Sequence, residues 1–120
     1  MSSLMKINFS ESEDIRTPEK TKMSVVSLGG HTASKLEVAP GWKWSECIKP
    51  HVGTESCQKS HVGYIESGHL HVVSDDGSTV DVKAGDFYVC RPGHDAWVVG
   101  NESVITYEFE GGWTGEFADK

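Results

Sequence analysis

From Met23 onward the chain runs in short apolar stretches rich in Val, Ile, Tyr, Phe and Trp. Glycine-bearing turns break them roughly every ten residues, the rhythm of a β-sandwich or barrel. The clearest unit is a hairpin: His69–Ser74, the turn Asp75-Asp76-Gly77-Ser78, then Thr79–Lys83. Asp-Gly supplies the positive φ angles of a tight turn, and Leu70, Val72, Val80 and Val82 fall on alternate positions, so they share one face. A second turn, Ala84-Gly85-Asp86, leads into Phe87–Cys90. In a third, Arg91-Pro92-Gly93, proline pre-sets one φ and glycine accepts the next. Trp97–Gly100 and Val104–Phe109 read as the last strands of the core.

No 3.6-residue apolar period persists over about twelve residues, so no long helix is expected. There is no internal repeat. An all-β chain of about eight to ten short antiparallel strands, closed by Greek-key connections, buries such a pattern without long open edges. Ahead of it, Met5–Phe9 predicts an N-terminal edge strand, followed by a polar arm over residues 10–22 that contains Pro18. Residues 1–22 thus form a strand and arm, and residues 23–120 one barrel domain. A chain of 120 residues can own a core without a disulfide or metal to staple it.

Charge narrows the partners. Eleven basic against 18 acidic residues give a net charge of −7, spread along the chain. No basic face is visible for nucleic acid or anionic membrane. No apolar run reaches the roughly 20 residues of a membrane helix. The opening Met1–Ile7 also lacks the apolar stretch of a secretory signal, so a cytoplasmic protein is expected. Three cysteines, Cys47, Cys57 and Cys90, cannot all pair within one chain. That odd count fits a reducing compartment, where thiols serve as core filler, metal ligands or nucleophiles.

The order of turns carries a resemblance. Gly85-Asp86-Phe87-Tyr88-Val89-Cys90-Arg91-Pro92-Gly93-His94 resembles the second motif of the cupins: a Gly-Asp turn, a short strand, then a proline-glycine turn before a histidine. His61-Val62-Gly63-Tyr64-Ile65-Glu66-Ser67-Gly68 resembles the first, ending on the family's turn glycine. The stretch from Pro40 to Asn101 is therefore similar to a single-domain cupin, which implies a jelly-roll β-barrel. Pro40-Gly41-Trp42-Lys43-Trp44-Ser45-Glu46, Gly53-Thr54-Glu55-Ser56-Cys57-Gln58 and Pro92–Gly100 resemble more narrowly a subgroup of small bacterial cupins. That subgroup brings no settled reaction with it.

The departures from the family pattern shape the site. Metal-binding cupins of the common type carry His-X-His and a glutamate in the first motif and a histidine in the second. Counting back from Gly68, His61 fills the glutamate slot, and Glu55 and Cys57 fill the His-X-His slots. Ala96 fills the last histidine slot, but His94, two residues earlier, points to the same face about 7 Å away along a strand. The resemblance thus implies that Cys57, His61 and His94 face the barrel interior, with Cys47 on the preceding strand able to approach. Such a nitrogen-and-sulfur set suits a divalent transition metal, zinc first and iron or copper as alternatives, and disfavours magnesium.

Each residue also has a plainer reading. The histidines can be hydrogen-bonded groups in a polar pocket, and Cys57 a small buried thiol. Cys47 can pack or pair with Cys57 in a disulfide. His51 and Glu55 are loop residues that could complete the shell. Trp97, Tyr64 and Tyr88 are candidate substrate-pocket residues, and Asp95 is a candidate partner orienting His94. Cys90 follows the apolar phase of its strand. His69 and His71 form a literal His-X-His, but alternation points them away from the pocket.

Three functions remain open on the sequence: a metal-dependent small-molecule enzyme, a non-catalytic ligand, metal or thiol sensor, and a metal-free binder of a polar metabolite. A homodimer is expected, with Met5–Phe9 as its edge.

Overall fold

The computed structural model describes residues 3–109, and the alternating runs form nine strands among them. These are β1 (Asp14–Arg16), β2 (Thr21–Leu28), β3 (His31–Val38), β4 (His61–Ser67), β5 (His69–Ser74), β6 (Thr79–Lys83), β7 (Phe87–Cys90), β8 (His94–Val98) and β9 (Val104–Phe109). One sheet has the order β1-β2-β3-β9-β4-β7 and the other β6-β5-β8. Every pairing is antiparallel. Strand β9 pairs with both β3 and β4, so a late strand lies in the middle of the large sheet, the long return of a Greek key. The two sheets form the expected jelly roll.

Side-chain alternation fills the space between them. The β5–β6 hairpin sets Leu70 opposite Val82 and Val72 opposite Val80, the pairs its sequence phase requires. Ile65 and Val104 are fully buried, each contributing roughly 1.5–3 kcal/mol through removal from water. Two one-turn helices, α1 (Trp44–Cys47) and α2 (Lys49–Val52), carry the chain from β3 to β4. They add Trp44 and Ile48 to the core, beside Trp42, whose indole donates to the Thr21 hydroxyl at 3.0 Å. No helix among the described residues is long and apolar enough to cross a membrane.

Two local expectations are corrected. Met5–Phe9 forms no strand, because Asn8-Phe9-Ser10-Glu11 is a capping signature. The Asn8 side chain accepts from Ser10 N, the Glu11 carboxylate accepts from Asn8 N, and a 3-10 turn (Phe9–Glu11) ends the extended run. The sheet edge is instead β1, inside the stretch read as a polar arm, where Arg16 is buried and ion-paired with Asp14 at 2.7 Å. The sequence argument for dimerisation through Met5–Phe9 goes with that strand.

Candidate metal centre

Topology brings distant residues to one end of the roll. Strand β4 begins where β7 and β9 end, and β8 begins where β5 ends. His61 therefore opens β4 opposite Cys90, and His94 opens β8 opposite Ser74. Cys57 lies in the loop before β4 and is fixed by an isolated β-bridge to His94. Its N–H donates to the His94 carbonyl at 2.7 Å, and the N–H of His94 donates back at 3.2 Å. Directly opposed residues of an antiparallel pair present their side chains on one face, so the bridge aims the thiol and the imidazole together.

The donor atoms of Cys57, His61 and His94 lie within 4.8 Å of one another. Cys57 Sγ stands 3.3 Å from His61 Nε2, and the two imidazole rings meet edge to face with centroids 5.0 Å apart. All three residues are at most 5% exposed. His61 Nδ1 is 2.7 Å from Glu108 Oε1, and His94 Nδ1 is 2.8 Å from the Arg91 carbonyl. With Nδ1–H donating in both rings, Nε2 is the nitrogen of each that could ligate, the arrangement that metal-bound histidines favour. Tyr88 donates to the other Glu108 oxygen at 2.6 Å, and its hydroxyl also lies 2.8 Å from Thr106 Oγ1.

Room for that phenol comes from Gly63. Residues 61, 63 and 65 face inward, and Gly63 pairs with Tyr88 across β4 and β7. A Cβ at position 63 would sit 2.8 Å from the Tyr88 hydroxyl and 2.6 Å from the Tyr107 carbonyl, so a side chain there would displace the group that holds Glu108.

The electrostatics are those of a sequestered ion pair. Burial disfavours the charged form of His61, but the Glu108 carboxylate, followed by the hydrogen bond to Cys57, outweighs it and pushes the imidazole up to about 10. For Glu108 burial again opposes ionisation, yet the His61 charge, with hydrogen bonds from His61 and Tyr88, holds its carboxyl below the usual range. Tyr88 is pushed up by burial and then by the Glu108 charge. Cys90 is raised to about 11 by burial, then by Glu108 and Cys57. The His61 imidazole thus keeps its proton between a carboxylate and a thiol, where a metal cation could take over its charge.

The other residues singled out from sequence lie elsewhere. Cys47 closes α1, buried at 3% exposure but outside the donor group, because it is on a helix and not on a strand facing β4. No disulfide joins it to Cys57. His51 and Glu55 are exposed, and Glu55 pairs with Lys49 at 3.5 Å. Tyr88 points inward, where it donates to Glu108. Tyr64 faces outward at 43% exposure, one residue out of phase with Gly63 and Ile65. Trp97 is also outward, since the inward phase of β8 runs His94, Ala96, Val98; its ring packs on His71 at 5.0 Å with Lys43 over it. Asp95 accepts from Ser45 N and Ala96 N and leaves the orientation of His94 to the Arg91 carbonyl. His69 and His71 point away from the centre, as alternation requires, and both contact Asp81.

Glu108 was legible and missed. Val104, Thr106 and Glu108 are the inward phase of β9, and a carboxylate in the apolar phase of a central strand demands a buried partner.

The roll with two imidazoles and a thiol gathered at one end defines a cupin-type barrel with a soft-donor cluster. The chain belongs to the EutQ-like cupin domain family, whose model matches residues 27–113. No curated protein sequence matches it. Among solved structures, it is similar to a protein of unknown function from Rhizobium leguminosarum, at 21% identity and TM-score 0.64, over 90% of this chain and 96% of that one. It is also similar to a putative ethanolamine utilization protein Q from Salmonella typhimurium, at 16% identity and TM-score 0.51, over 74% and 67% of the two chains. A third likeness is to the polyketide cyclase RemF from Streptomyces resistomycificus, at 14% identity and TM-score 0.59, over 88% and 77%. These likenesses carry the fold.

Proposed function

We propose that Cys57, His61 and His94 hold one divalent transition metal, zinc, and that the protein is a metal-dependent enzyme acting on a small molecule inside the barrel. The observation that carries this reading is the anchoring of both Nδ1 atoms, by Glu108 and by the Arg91 carbonyl, with both rings beside the Cys57 thiol. The donor set fits the ion. Tetrahedral zinc with ligands at 2.0–2.3 Å separates neighbouring donors by about 3.3–3.8 Å. The 3.3 Å between Cys57 Sγ and His61 Nε2 meets that, and the 4.8 Å limit on the others asks for a small contraction.

Three protein ligands leave a fourth position for a substrate, the pattern of catalytic and not structural zinc. Cys47, whose ligation would have closed the site and favoured a sensor, is not in the group. When bound, such an ion supplies Lewis-acid polarisation of a substrate oxygen. The chain's own part is to fix the ligand geometry: Glu108 orients His61, Tyr88 holds Glu108, and the core keeps bulk water away. The same contacts also align thiol, imidazole and carboxylate as in a nucleophilic relay, but a thiol 1% exposed offers little to a substrate, and the relay gives His94 no role.

Elemental analysis of protein expressed in zinc-supplemented medium tests the reading. We expect about one zinc per chain, retained in Cys47→Ser and lost in His94→Ala; wild-type protein with zinc at background overturns it.

A further inference from the structure

Val80 faces inward but is not buried. In the β5–β6 hairpin Val72 and Val82 are 7% and 2% exposed, whereas Val80, on the same face, is 50% exposed. The two sheets part there, between β6 and β7, which are both unpaired edges. The gap is a cleft of about 320 Å³. Val72, Val80 and Val89 give it an apolar wall, Thr79 a hydroxyl, and His94 belongs both to the cleft and to the donor cluster. Arg91 lines it as well. Its carbonyl orients His94, but its guanidinium has no hydrogen bond or ion pair among the described residues. The acidic residue of the cleft, Asp76, is turned onto Ser78, accepting from both its N–H and its hydroxyl.

We propose that this cleft is the substrate site and that its ligand is a small organic acid with a compact apolar body. Arg91 takes the carboxylate, for which a guanidinium fork is the matching donor, and the valines take the body. The reacting end then meets His94. This assignment rests on the reading of His94 as a metal ligand, and it replaces Trp97 and Tyr64 as pocket residues with Arg91, Thr79 and Val80.

The test uses benzoate and its neutral isostere benzamide as probes on the zinc-supplemented full chain, by calorimetry and by amide shifts in NMR spectra. We expect benzoate to bind at least about tenfold tighter than benzamide, the gain of one charge-assisted pair, and to shift Thr79, Val80 and Arg91. Arg91→Gln should abolish the preference without lowering the melting temperature, and Arg91→Lys should retain part of it. No benzoate binding, equal affinities, shifts elsewhere, or a preference surviving Arg91→Gln overturns the proposal. Zinc measured in the same samples separates the two claims. Zinc-free protein that prefers benzoate through Arg91 keeps the acid site and sinks the metal reading; zinc-bound protein with no preference does the reverse.

Discussion

Two constellations of this molecule set an imidazole and a carboxylate at the same distance. Inside the roll, His61 meets Glu108 at 2.7 Å beside a second histidine; outside, on the far face of the small sheet, His69 meets Asp81 at 2.7 Å beside His71. Both Asp81 and Glu108 have carboxyls held below their ordinary range by histidine contacts, the His71 and then His69 hydrogen bonds in the case of Asp81. Position makes the difference. The outer group is open to solvent, which screens its charges and solvates each partner when separated. The inner group has no such recourse, so removing one partner strands the other in a low dielectric. Motif spelling alone selects the other pair: the literal His-X-His is the outer one, and the pair proposed to ligate is split between β4 and β8.

Substitutions can break that comparison. The largest effect belongs to the proposed ligands. Cys57→Ala or His94→Ala should weaken zinc binding more than about a hundredfold in a competition titration, beyond the range for supporting residues. His69→Ala and His71→Ala should leave it unchanged. Next comes the carboxylate: Glu108→Gln should lower zinc affinity about 10- to 100-fold and destabilise the chelated protein by about 3–5 kcal/mol in urea unfolding, while Asp81→Asn does neither. Gly63→Ala, which forces Tyr88 off Glu108, should cost about 1–3 kcal/mol by the same assay.

The subtlest prediction concerns pH. His61 in the folded, metal-free protein is raised to about 10, against roughly 6.5 for an unfolded chain. A raised folded value means the pair's stabilisation is fully present below about 6.5 and is lost as pH climbs through about 10. Chelated wild type should therefore melt at a progressively lower temperature over that window, and Glu108→Gln should flatten the profile. Zinc must displace that proton and the thiol's, so zinc affinity should rise with pH over the same range.

Much of the fold could be read from alternation alone. The phase of Leu70, Val72, Val80 and Val82 gave the β5–β6 hairpin in register, and turn glycines marked the strand ends. What escaped was set by capping and by the third dimension. Asn8 and Glu11 cap a 3-10 turn that ends the Met5–Phe9 run, and the α1 turn took Cys47 away from the strand path. Phase also decides the pocket candidates. Tyr64 lies one step from Gly63 and Trp97 three from His94, so both were out of phase with the site, and counting along each strand would have excluded them. The cleft beside Val80 had no such signal, because where two sheets part depends on their packing and not on the pattern of either.

Cobalt substitution examines the ligand set most directly, since its spectrum reports both geometry and thiolate ligation. Cobalt-loaded wild type should show the intense visible bands of a four-coordinate ion with a sulfur charge-transfer band in the near ultraviolet. That band should vanish in Cys57→Ser and persist in Cys47→Ser. A weak six-coordinate spectrum, or a sulfur band that depends on Cys47 and not on Cys57, would contradict the proposed centre.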